Sequence, residues 1–513
     1  MPATPDRVTV ERPAPRRSQE RLHPLERLRL RRAPPPDLDG GPIPADPNAR
    51  GLVAVAIAAY VIAYSWWTIR NHVGFATAAF DFAIYDQALW LLSRFETPFV
   101  TIMGRHLFGD HTSFILLPLV PFYWIAPSGK VLLVAQSAAL GIAALPAFLV
   151  ARHQLRSEMP AALLAVAYLL QPAVGWTNFE QFHPDVFEIP LALLAFWLVL
   201  ERRWTAFLVT IVALLSVKED VPLLTAGLGI WVAIFHHRRI GLLTTALSIA
   251  WFVAAFWGIL PALNGVGTLN TWRIPFGGPT GVIRTALFEP GEFLAYLLSD
   301  QRPWYLWQMF APLALFPLLT PSVFLIAAGP LASNLISTFY YQHRMQHHYV
   351  TLLVPVIVVA AIYTVAKARS PRGRRILSGV VLGAATLCAY TWGPLQGSRT
   401  PAWLSIPGWY THANVWRAIN LIPRDASVSA SYQFVPHVAQ RKEIYLWPNP
   451  WRAQYWGTFT HEGRRLPQAD GVEYVLLHID ELPPDHRRLL SSIRWDFESV
   501  YEAENVLLLR RRR

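Results

Sequence analysis

The feature that most constrains this chain is a series of apolar runs, most of them close to the length that crosses a lipid bilayer. A transmembrane helix needs about 20 mostly apolar residues. Runs of this or slightly shorter length lie at 51–69, 130–151, 159–176, 186–200, 204–217, 221–235, 240–260, 304–320, 321–338, 349–366 and 376–393. The pattern predicts a polytopic α-helical membrane protein with about 11 transmembrane helices.

The composition agrees with lipid as the solvent. Hydrophobic residues make up 53% of the chain and charged residues 15%, whereas soluble proteins carry about 25% charged residues. The net charge is +12, but the basic residues form short clusters between apolar runs, so we expect no nucleic-acid partner, which requires a continuous basic surface. The single cysteine, Cys388, excludes an intrachain disulfide and a cysteine zinc cluster.

The basic clusters indicate which loops face the cytoplasm, because Lys and Arg concentrate there. All of these clusters lie on one side of the membrane only if the apolar stretch Ser113–Ala126 does not cross the bilayer. The clusters are at 27–32, 152–156, 202–203, 238–239 and 367–375. That stretch is short and contains two prolines, so we predict that it lies in the outer interface or re-enters it. The N-terminus is then cytoplasmic and the C-terminal part extracytoplasmic.

Three regions follow from this reading. Residues 1–50, rich in Pro and Arg, are predicted to be a disordered cytoplasmic tail. Residues 51–393 form the transmembrane domain, with a first outer segment at 70–129. Residues 394–513 are predicted to form a small extracytoplasmic α/β domain, with β-like runs at Ala426–Ser431, Glu443–Leu446, Val472–Ile479 and Val506–Leu509.

The predicted topology gathers the polar residues on the outer side. After the first span, helical spacing places Asp81 and Tyr85 on one face and Asp86 on another. A carboxylate in this position could act as a general base on an acceptor hydroxyl. The alternative is an ordinary helix N-cap, for which Asp is a preferred residue.

Two further outer segments combine cations with carboxylates. Arg105 to His111 precede the interfacial stretch, where cations beside backbone N–H groups suit a phosphate; the alternative is solvation near lipid headgroups. Lys218-Glu219-Asp220 separates two apolar runs, and three charges in this position require water or partners. The alternative for this trio is an ion pair within the trio itself.

Two histidine-containing segments complete the set. Glu180, His183 and Asp185 carry side chains that can bind a divalent metal, although an ordinary polar turn explains them equally well. His347 and His348 follow aromatic residues and suit a pyrophosphate or a sugar, or else a membrane-interface belt. On a helix these two side chains would point in different directions, which argues against a joint metal site. The sequence contains no HExxH, P-loop or GxSxG motif in the required context.

These segments together resemble a large bacterial family of predicted membrane proteins, known as domain of unknown function 2079. The resemblance extends over roughly 75–510 and is carried by Phe80-Asp81, Gln87-Ala88-Leu89-Trp90, Gly109-Asp110-His111, Gln136, Phe182-His183-Pro184, Lys218-Glu219-Asp220, His348-Tyr349, Val428-Ser429-Ala430, Pro436-His437 and Arg441-Lys442-Glu443-Ile444-Tyr445. The family in turn is similar to the C-type glycosyltransferase superfamily, which includes protein mannosyltransferases and lipid A aminoarabinose transferases.

The resemblance implies an inverting glycosyltransferase in the bacterial cytoplasmic membrane. Such an enzyme moves a sugar from a polyprenyl-phosphate donor to a glycan, lipid or protein acceptor of the cell envelope, on the outer face. The expected roles are general base for Asp81 with support from Asp86; donor phosphate binding for Arg105, His111 and Lys218; and acceptor binding for Tyr85, Glu180, His183, Glu219, Asp220, His347 and His348. A phosphate site on Lys and His makes a metal unnecessary, so we expect no cofactor, although a divalent metal is possible.

Two other classes of function stay open at this point. A transporter or flippase of a lipid-linked substrate predicts charged residues in the middle of spans, whereas here they cluster at the outer helix ends. A non-catalytic membrane scaffold that presents its C-terminal domain needs none of these charge clusters.

Overall fold

The structure, a computed structural model, describes residues 41–268, 270–404, 412–455 and 462–512. The predicted N-terminal tail lies outside the described residues as far as residue 40. The α-helices of the mainly helical part are α1 (Pro47–Val73), α2 (Ile84–Ser93), α3 (Leu107–Asp110), α4 (Val120–Ile125), α5 (Lys130–Ile142), α6 (Ala144–Leu155), α7 (Glu158–Leu169), α8 (Pro172–Phe179), α9 (Glu188–Leu200), α10 (Trp204–Leu215), α11 (Pro222–Phe235), α12 (Arg238–Ala254), α13 (Leu260–Asn264), α14 (Pro279–Phe288), α15 (Pro290–Leu297), α16 (Arg302–Phe310), α17 (Pro321–Phe324), α18 (Ala328–Ile336), α19 (Val354–Ala366) and α20 (Pro371–Trp392).

Within the described residues, four helical segments are long and apolar enough to cross a membrane: Pro47–Val73, Lys130–Leu155, Arg238–Asn264 and Pro371–Trp392. A fifth span arises if α7 and α8, which are bent by 43°, cross together. Other apolar runs form shorter helices, including α9, α10, α11 and α19. The helical membrane-type architecture is therefore present, while the number of 11 spans stays a prediction.

The predicted span 304–320 is not one continuous helix. After α16 the backbone turns left-handed at Ala314 and Leu315, with φ values of 54° and 60°. Pro312 and Pro317 flank this turn, and a proline lacks the N–H group that an interior helix position must donate. Hydropathy alone does not register such a break.

The stretch predicted to lie in the interface is a short, broken helix. A 3₁₀ turn over Phe114–Leu119 leads into α4. Phe122, Trp124 and Ile125 each expose more than half of their surface. The segment is too short to cross a bilayer, which needs about 20 helical residues; its placement in the interface stays a prediction.

Turns that we predicted to be cytoplasmic meet at one end of the helices. Arg50 and Arg152 both pair with Glu158, at 2.7 and 2.8 Å. Arg374 donates a hydrogen bond to the carbonyl oxygen of Leu155, at 2.9 Å. This shared end agrees with the prediction that the basic clusters lie on one side of the membrane. Which side that is stays a prediction.

The C-terminal part contains a five-stranded sheet. A short antiparallel pair, β1 (Phe99–Val100) and β2 (Arg105–His106), precedes it in the chain. The sheet has the order β4-β3-β5-β7-β6; β3 pairs parallel with β4 and β5, and β7 pairs antiparallel with β5 and β6. Its strands and the two accompanying helices are β3 (Val428–Ala430), β4 (Ile444–Leu446), β5 (Tyr474–His478), β6 (Phe497–Ala503), β7 (Val506–Arg511), α21 (His412–Asn420) and α22 (Pro484–Ile493).

Each of the four predicted β-like runs overlaps a strand, but β6 was missed. β6 is one of the two edge strands of the sheet, and most of its side chains are partly or fully exposed. Its polar residues therefore do not produce the apolar signal by which a buried strand is recognised.

The first outer segment holds the C-terminal sheet against the helices. The Gln87 side-chain amide donates to the carbonyl oxygens of Arg441 and Lys442, at 3.3 and 3.2 Å. The Thr101 hydroxyl donates to the carbonyl oxygen of Ile444, at 2.6 Å. These bonds join the region expected to carry the chemistry to the start of β4.

Asp86 belongs to this anchoring region. Its Oδ1 accepts hydrogen bonds from the Tyr123 hydroxyl, at 2.8 Å, and from the Gln440 amide, at 2.9 Å. Burial raises the pKa of Asp86 to about 6, although both hydrogen bonds oppose that rise. The structure thus gives Asp86 a place between the helices and the C-terminal sheet.

We expect Asp86 to make stability depend on pH. Because the folded state holds the proton more tightly than the unfolded chain, stability is highest below about pH 4 and falls as the pH rises toward about 6. The variant Asp86→Asn carries no ionisable group here, so its melting temperature should fall less than that of the wild type across this interval. Thermal unfolding at a series of pH values measures the difference, and parallel profiles for the two proteins would contradict it.

Candidate functional site

Asp81 lies in the irregular turn that precedes α2. Its φ and ψ values, 68° and −78°, are those of a γ-turn, a conformation that is rare and strained for a residue other than glycine. The residue at the N-cap of α2 is Ala83, whose methyl side chain cannot accept a capping hydrogen bond. The N-cap alternative is therefore wrong, and the Asp81 carboxylate is 48% exposed.

The Asp81 carboxylate faces His183. Its Oδ1 lies 3.3 Å from His183 Nε2, and the Tyr85 ring lies 6.2 Å from the His183 ring. Burial opposes ionisation of Asp81, but the charge of His183 outweighs it and holds the pKa of Asp81 below its ordinary value. Burial likewise lowers the pKa of His183, but Asp81 and its neighbours raise it to about 9. The two side chains therefore form an ion pair at neutral pH.

Glu180 brings two consecutive histidines into the same place. Its Oε1 lies 2.5 Å from His347 Nδ1 and its Oε2 lies 3.2 Å from His348 Nδ1, and the His348 backbone N–H also donates to it. The His348 ring stacks on the His183 ring, with 3.7 Å between the centroids. The helical spacing assumed for His347 and His348 does not apply, because the backbone at His347 is extended (φ −116°, ψ 152°). Both side chains nevertheless reach the same carboxylate, one at each oxygen of Glu180.

Lys218 is buried with a carboxylate. Its Nζ lies 3.0 Å from Asp185 Oδ1, and both side chains are less than a tenth exposed. The Tyr349 ring centroid lies 5.6 Å from the same Nζ. Burial would lower the pKa of Lys218, but the charge of Asp185 outweighs it and raises the pKa well above its ordinary value. The partner of Lys218 thus comes from another loop, and an ion pair within the trio is not what the structure shows.

The other predicted phosphate-binding cations are also paired. His111 Nδ1 lies 2.7 Å from Glu219 Oε1, and the backbone N–H of Thr112 donates to Glu219 Oε2 at 3.1 Å. Arg105 lies 2.7 Å from Asp110. A phosphate would have to compete with these carboxylates for all three cations.

The structure therefore brings together most of the predicted site residues. We call the following set the polar cluster: Asp81, Tyr85, Glu180, His183, Asp185, Lys218, His347 and His348. Glu219, which pairs with His111, follows Lys218 of the cluster directly in the chain. Asp110, which pairs with Arg105, is the last residue of α3. Asp220 lines a small internal cavity with Asp185 and Tyr349, and burial raises its pKa to about 6. Asp86 lies apart from the cluster.

Sequence reasoning missed two residues. Asp185 was considered as a metal ligand but not as the partner of Lys218. Arg273 lies 4.0 Å above the centre of the Phe339 ring and donates to the Tyr349 hydroxyl at 3.3 Å. Within the described ranges, Arg273 forms no ion pair with a carboxylate. Its only sequence signal was its place in a predicted outer segment.

The C-terminal part lies beside the polar cluster. The ring of Phe80, next to Asp81 in the chain, lies 6.3 Å from that of Tyr432. His72 at the end of α1 stacks on His437, with 4.4 Å between the centroids. The half-exposed Asp81 is thus near the boundary between the helices and the segment that carries the sheet.

Comparison with known families decides what kind of chain this is. The family model for "Predicted membrane protein (DUF2079)" matches residues 71–507. The chain belongs to this family. The match confirms the family predicted from the sequence, and in this family member the matched region contains every residue of the polar cluster. No curated protein matches the chain.

A solved structure supports the wider resemblance. ArnT from Cupriavidus metallidurans, determined in the apo state, is similar to this family member with a TM-score of 0.53 and 13% sequence identity. The similarity covers 90% of this chain and 98% of ArnT. At this identity the comparison shows a shared fold, which supports the predicted resemblance to the C-type glycosyltransferase superfamily.

Proposed function

We propose that this protein is an inverting membrane glycosyltransferase that moves a sugar from a polyprenyl-phosphate donor to an acceptor of the cell envelope, on the outer face of the cytoplasmic membrane. One observation carries the proposal. A strained, half-exposed carboxylate, Asp81, is held against His183 beside the boundary with the C-terminal segment. Strained backbone that surrounding structure maintains is typical of functional sites.

Asp81 is the proposed general base. It is ionised at neutral pH, because the charge of His183 holds the pKa of Asp81 low, and an ionised carboxylate can accept the proton of an attacking hydroxyl. Its exposed side leaves room for an acceptor. His183 positions this carboxylate, and the Tyr85 ring lies 6.2 Å from the His183 ring. Asp86 supports the site indirectly, because its hydrogen bond with Gln440 joins α2 to the segment before β4.

The leaving polyprenyl phosphate requires positive charge near the bond that breaks. Arg105, His111 and Lys218 stay candidates for this role, but each is paired with a carboxylate. We therefore add Arg273, whose guanidinium reaches Tyr349 at 3.3 Å without a carboxylate partner among the described residues. Glu180, Glu219, Asp220, His347 and His348 are left for the acceptor or the sugar.

The fold supports this reading in general terms. The similarity to ArnT extends over 90% of this chain and 98% of that chain, which supports a shared helical membrane-type fold. The lipid carrier, the sugar and the acceptor belong to the proposal. A transporter would place charged groups along a route between the helices, whereas the charged members of the polar cluster lie in the segments that connect the α-helices.

The test is a transfer assay with purified protein in lipid nanodiscs. Polyprenyl-phosphate sugars would be supplied together with an envelope extract as the source of acceptor, and release of polyprenyl phosphate would be followed. We expect at least one sugar to support release that depends on acceptor. Movement of the intact donor between leaflets without release would instead favour a flippase.

Arg273→Ala is expected to weaken the use of the donor. A hydrogen bond to a charged group is worth about 1.5–3 kcal/mol, so the KM for the donor should rise about 10- to 100-fold with a smaller change in kcat. Arg284→Ala is a suitable control because Arg284 is exposed on α14 in the same segment. An unchanged KM in Arg273→Ala would remove this residue from the donor site.

A further inference from the structure

Three side chains of the polar cluster have the arrangement of metal ligands. Glu180, His183 and His348 each offer one ligand atom, and these atoms all lie within 4.8 Å of one another. His183 and His348 are buried, with exposures of 3% and 7%. Ligand atoms around a four-coordinate zinc ion lie about 3.3 Å apart, from bond lengths of about 2.0–2.1 Å. A contraction of at most about 1.5 Å between the ligand atoms would therefore complete the site.

The second observation concerns His183 itself. Both of its ring nitrogens are buried, and neither makes a hydrogen bond to any residue that the structure describes. Nε2 has the Asp81 oxygen beside it at 3.3 Å, without hydrogen-bond geometry. Buried polar side chains nearly always have a partner, and an exception points to a ligand or ion. A metal ion bonded to one nitrogen would supply that partner.

The charges of the cluster are complementary to a divalent cation. Lys218 and Asp185 neutralise each other at 3.0 Å. Around the two stacked histidines this leaves the carboxylates of Asp81 and Glu180. Without a metal, a proton on His183 balances part of this negative charge, and a zinc ion bound to His183 would replace that proton. A negatively charged donor phosphate would be repelled by these carboxylates unless a cation is present.

The expectation that no metal is needed depended on free cations for the phosphate. The structure shows that His111 is paired with Glu219 and Lys218 with Asp185. These paired cations therefore do not make a metal unnecessary for binding the phosphate.

We infer that Glu180, His183 and His348 bind a zinc ion. Two imidazoles and one carboxylate suit zinc, whereas magnesium and calcium prefer oxygen ligands only. A site with three protein ligands keeps a fourth position for water or substrate, and Asp81 lies beside it, 3.3 Å from His183. The fourth position is open to an oxygen of the donor phosphate; this role, but not the binding of zinc, rests on the proposed function.

Zinc binding can be measured on the full-length protein in nanodiscs after removal of metal with a chelator. We expect one equivalent of zinc per chain in a competition titration with a chromogenic chelator, and no displacement by magnesium. Cobalt in place of zinc should give the visible absorption bands of a four-coordinate ion. His183→Ala and His348→Ala should each lower zinc affinity by at least about 100-fold, since even outer-shell partners are worth 10- to 100-fold.

His153→Ala is the control, because His153 pairs with Glu201 near the end of the helices where Arg152 meets Glu158. Glu180→Gln provides a further ligand variant if a histidine variant does not fold. A wild type without stoichiometric zinc, or folded ligand variants that bind zinc as the wild type does, would overturn the inference. Sugar transfer by metal-free protein would leave the proposed function standing and remove only the role of zinc in it.

Discussion

Asp81→Asn is expected to lower the rate of sugar transfer by about 10²- to 10⁴-fold, the contribution typical of a general base. The asparagine amide cannot accept the proton of the acceptor hydroxyl, although it has nearly the same shape as the carboxylate. The effect should appear in kcat, because the donor phosphate does not contact this side chain in the proposed arrangement. The measurement is the transfer assay with saturating donor.

The fold should tolerate this substitution. Asn and Asp are the residues other than glycine that most readily adopt a positive φ, and Asp81 has a φ of 68°. Glu96→Gln is the matched control, since Glu96 is in the same outer segment and pairs with exposed Lys442. Full activity in a folded Asp81→Asn protein would show that Asp81 is not the base.

Lys218→Met is expected to destabilise the protein by about 3–5 kcal/mol, the cost of breaking a buried ion pair by removing one partner. Asp185, only 4% exposed, would be left as a buried charge without its partner at 3.0 Å. The effect should be seen as a lower melting temperature of the purified protein.

A second substitution separates this cause from a simple loss of packing. In Lys218→Met/Asp185→Leu the unpaired charge is gone, so much of the stability should return, as replacement of both partners by apolar residues is often nearly neutral. Lys442→Met is the control: its pair with Glu96 is exposed on both sides, and such pairs are worth about 0–1 kcal/mol. Equal effects of Lys218→Met and Lys442→Met would contradict this reading of the buried pair.

The sequence was sufficient for the broad architecture because hydropathy and charge act locally. The runs that begin near Gly51, Lys130 and Ile240 became long apolar helices. The requirement that the basic clusters share one side of the membrane indicated that Ser113–Ala126 does not cross the bilayer. The structure shows a short broken helix there. Lys218 was recognised as part of a site because a charge between apolar runs is costly without a partner.

Features that depend on contacts between distant segments could not be predicted. Nothing near Lys218 in the sequence names Asp185 as its partner, and the meeting of His183 with His348 joins residues 165 positions apart along the chain. Asp86 was grouped with Asp81 by proximity in the sequence, but its partners Tyr123 and Gln440 come from other segments.

Local breaks were missed for a different reason. The apolar signal of 304–320 continues through the prolines that interrupt the helix. In the predicted outer segment 261–303, α14 and α15 expose large apolar side chains, including Ile283 and Leu287. These helices are short, with 10 and 8 residues, so neither gave the signal of a span.

The most direct test of the proposed donor is equilibrium binding of polyprenyl phosphate to the wild-type protein in nanodiscs, compared with a polyprenyl alcohol of the same chain length. We predict that the phosphate form binds at least about tenfold tighter, because charge-assisted hydrogen bonds to a phosphate contribute about 1.5–3 kcal/mol. Equal affinities, or no binding by a folded sample, would contradict the donor assignment and favour a transporter or a scaffold with the same fold.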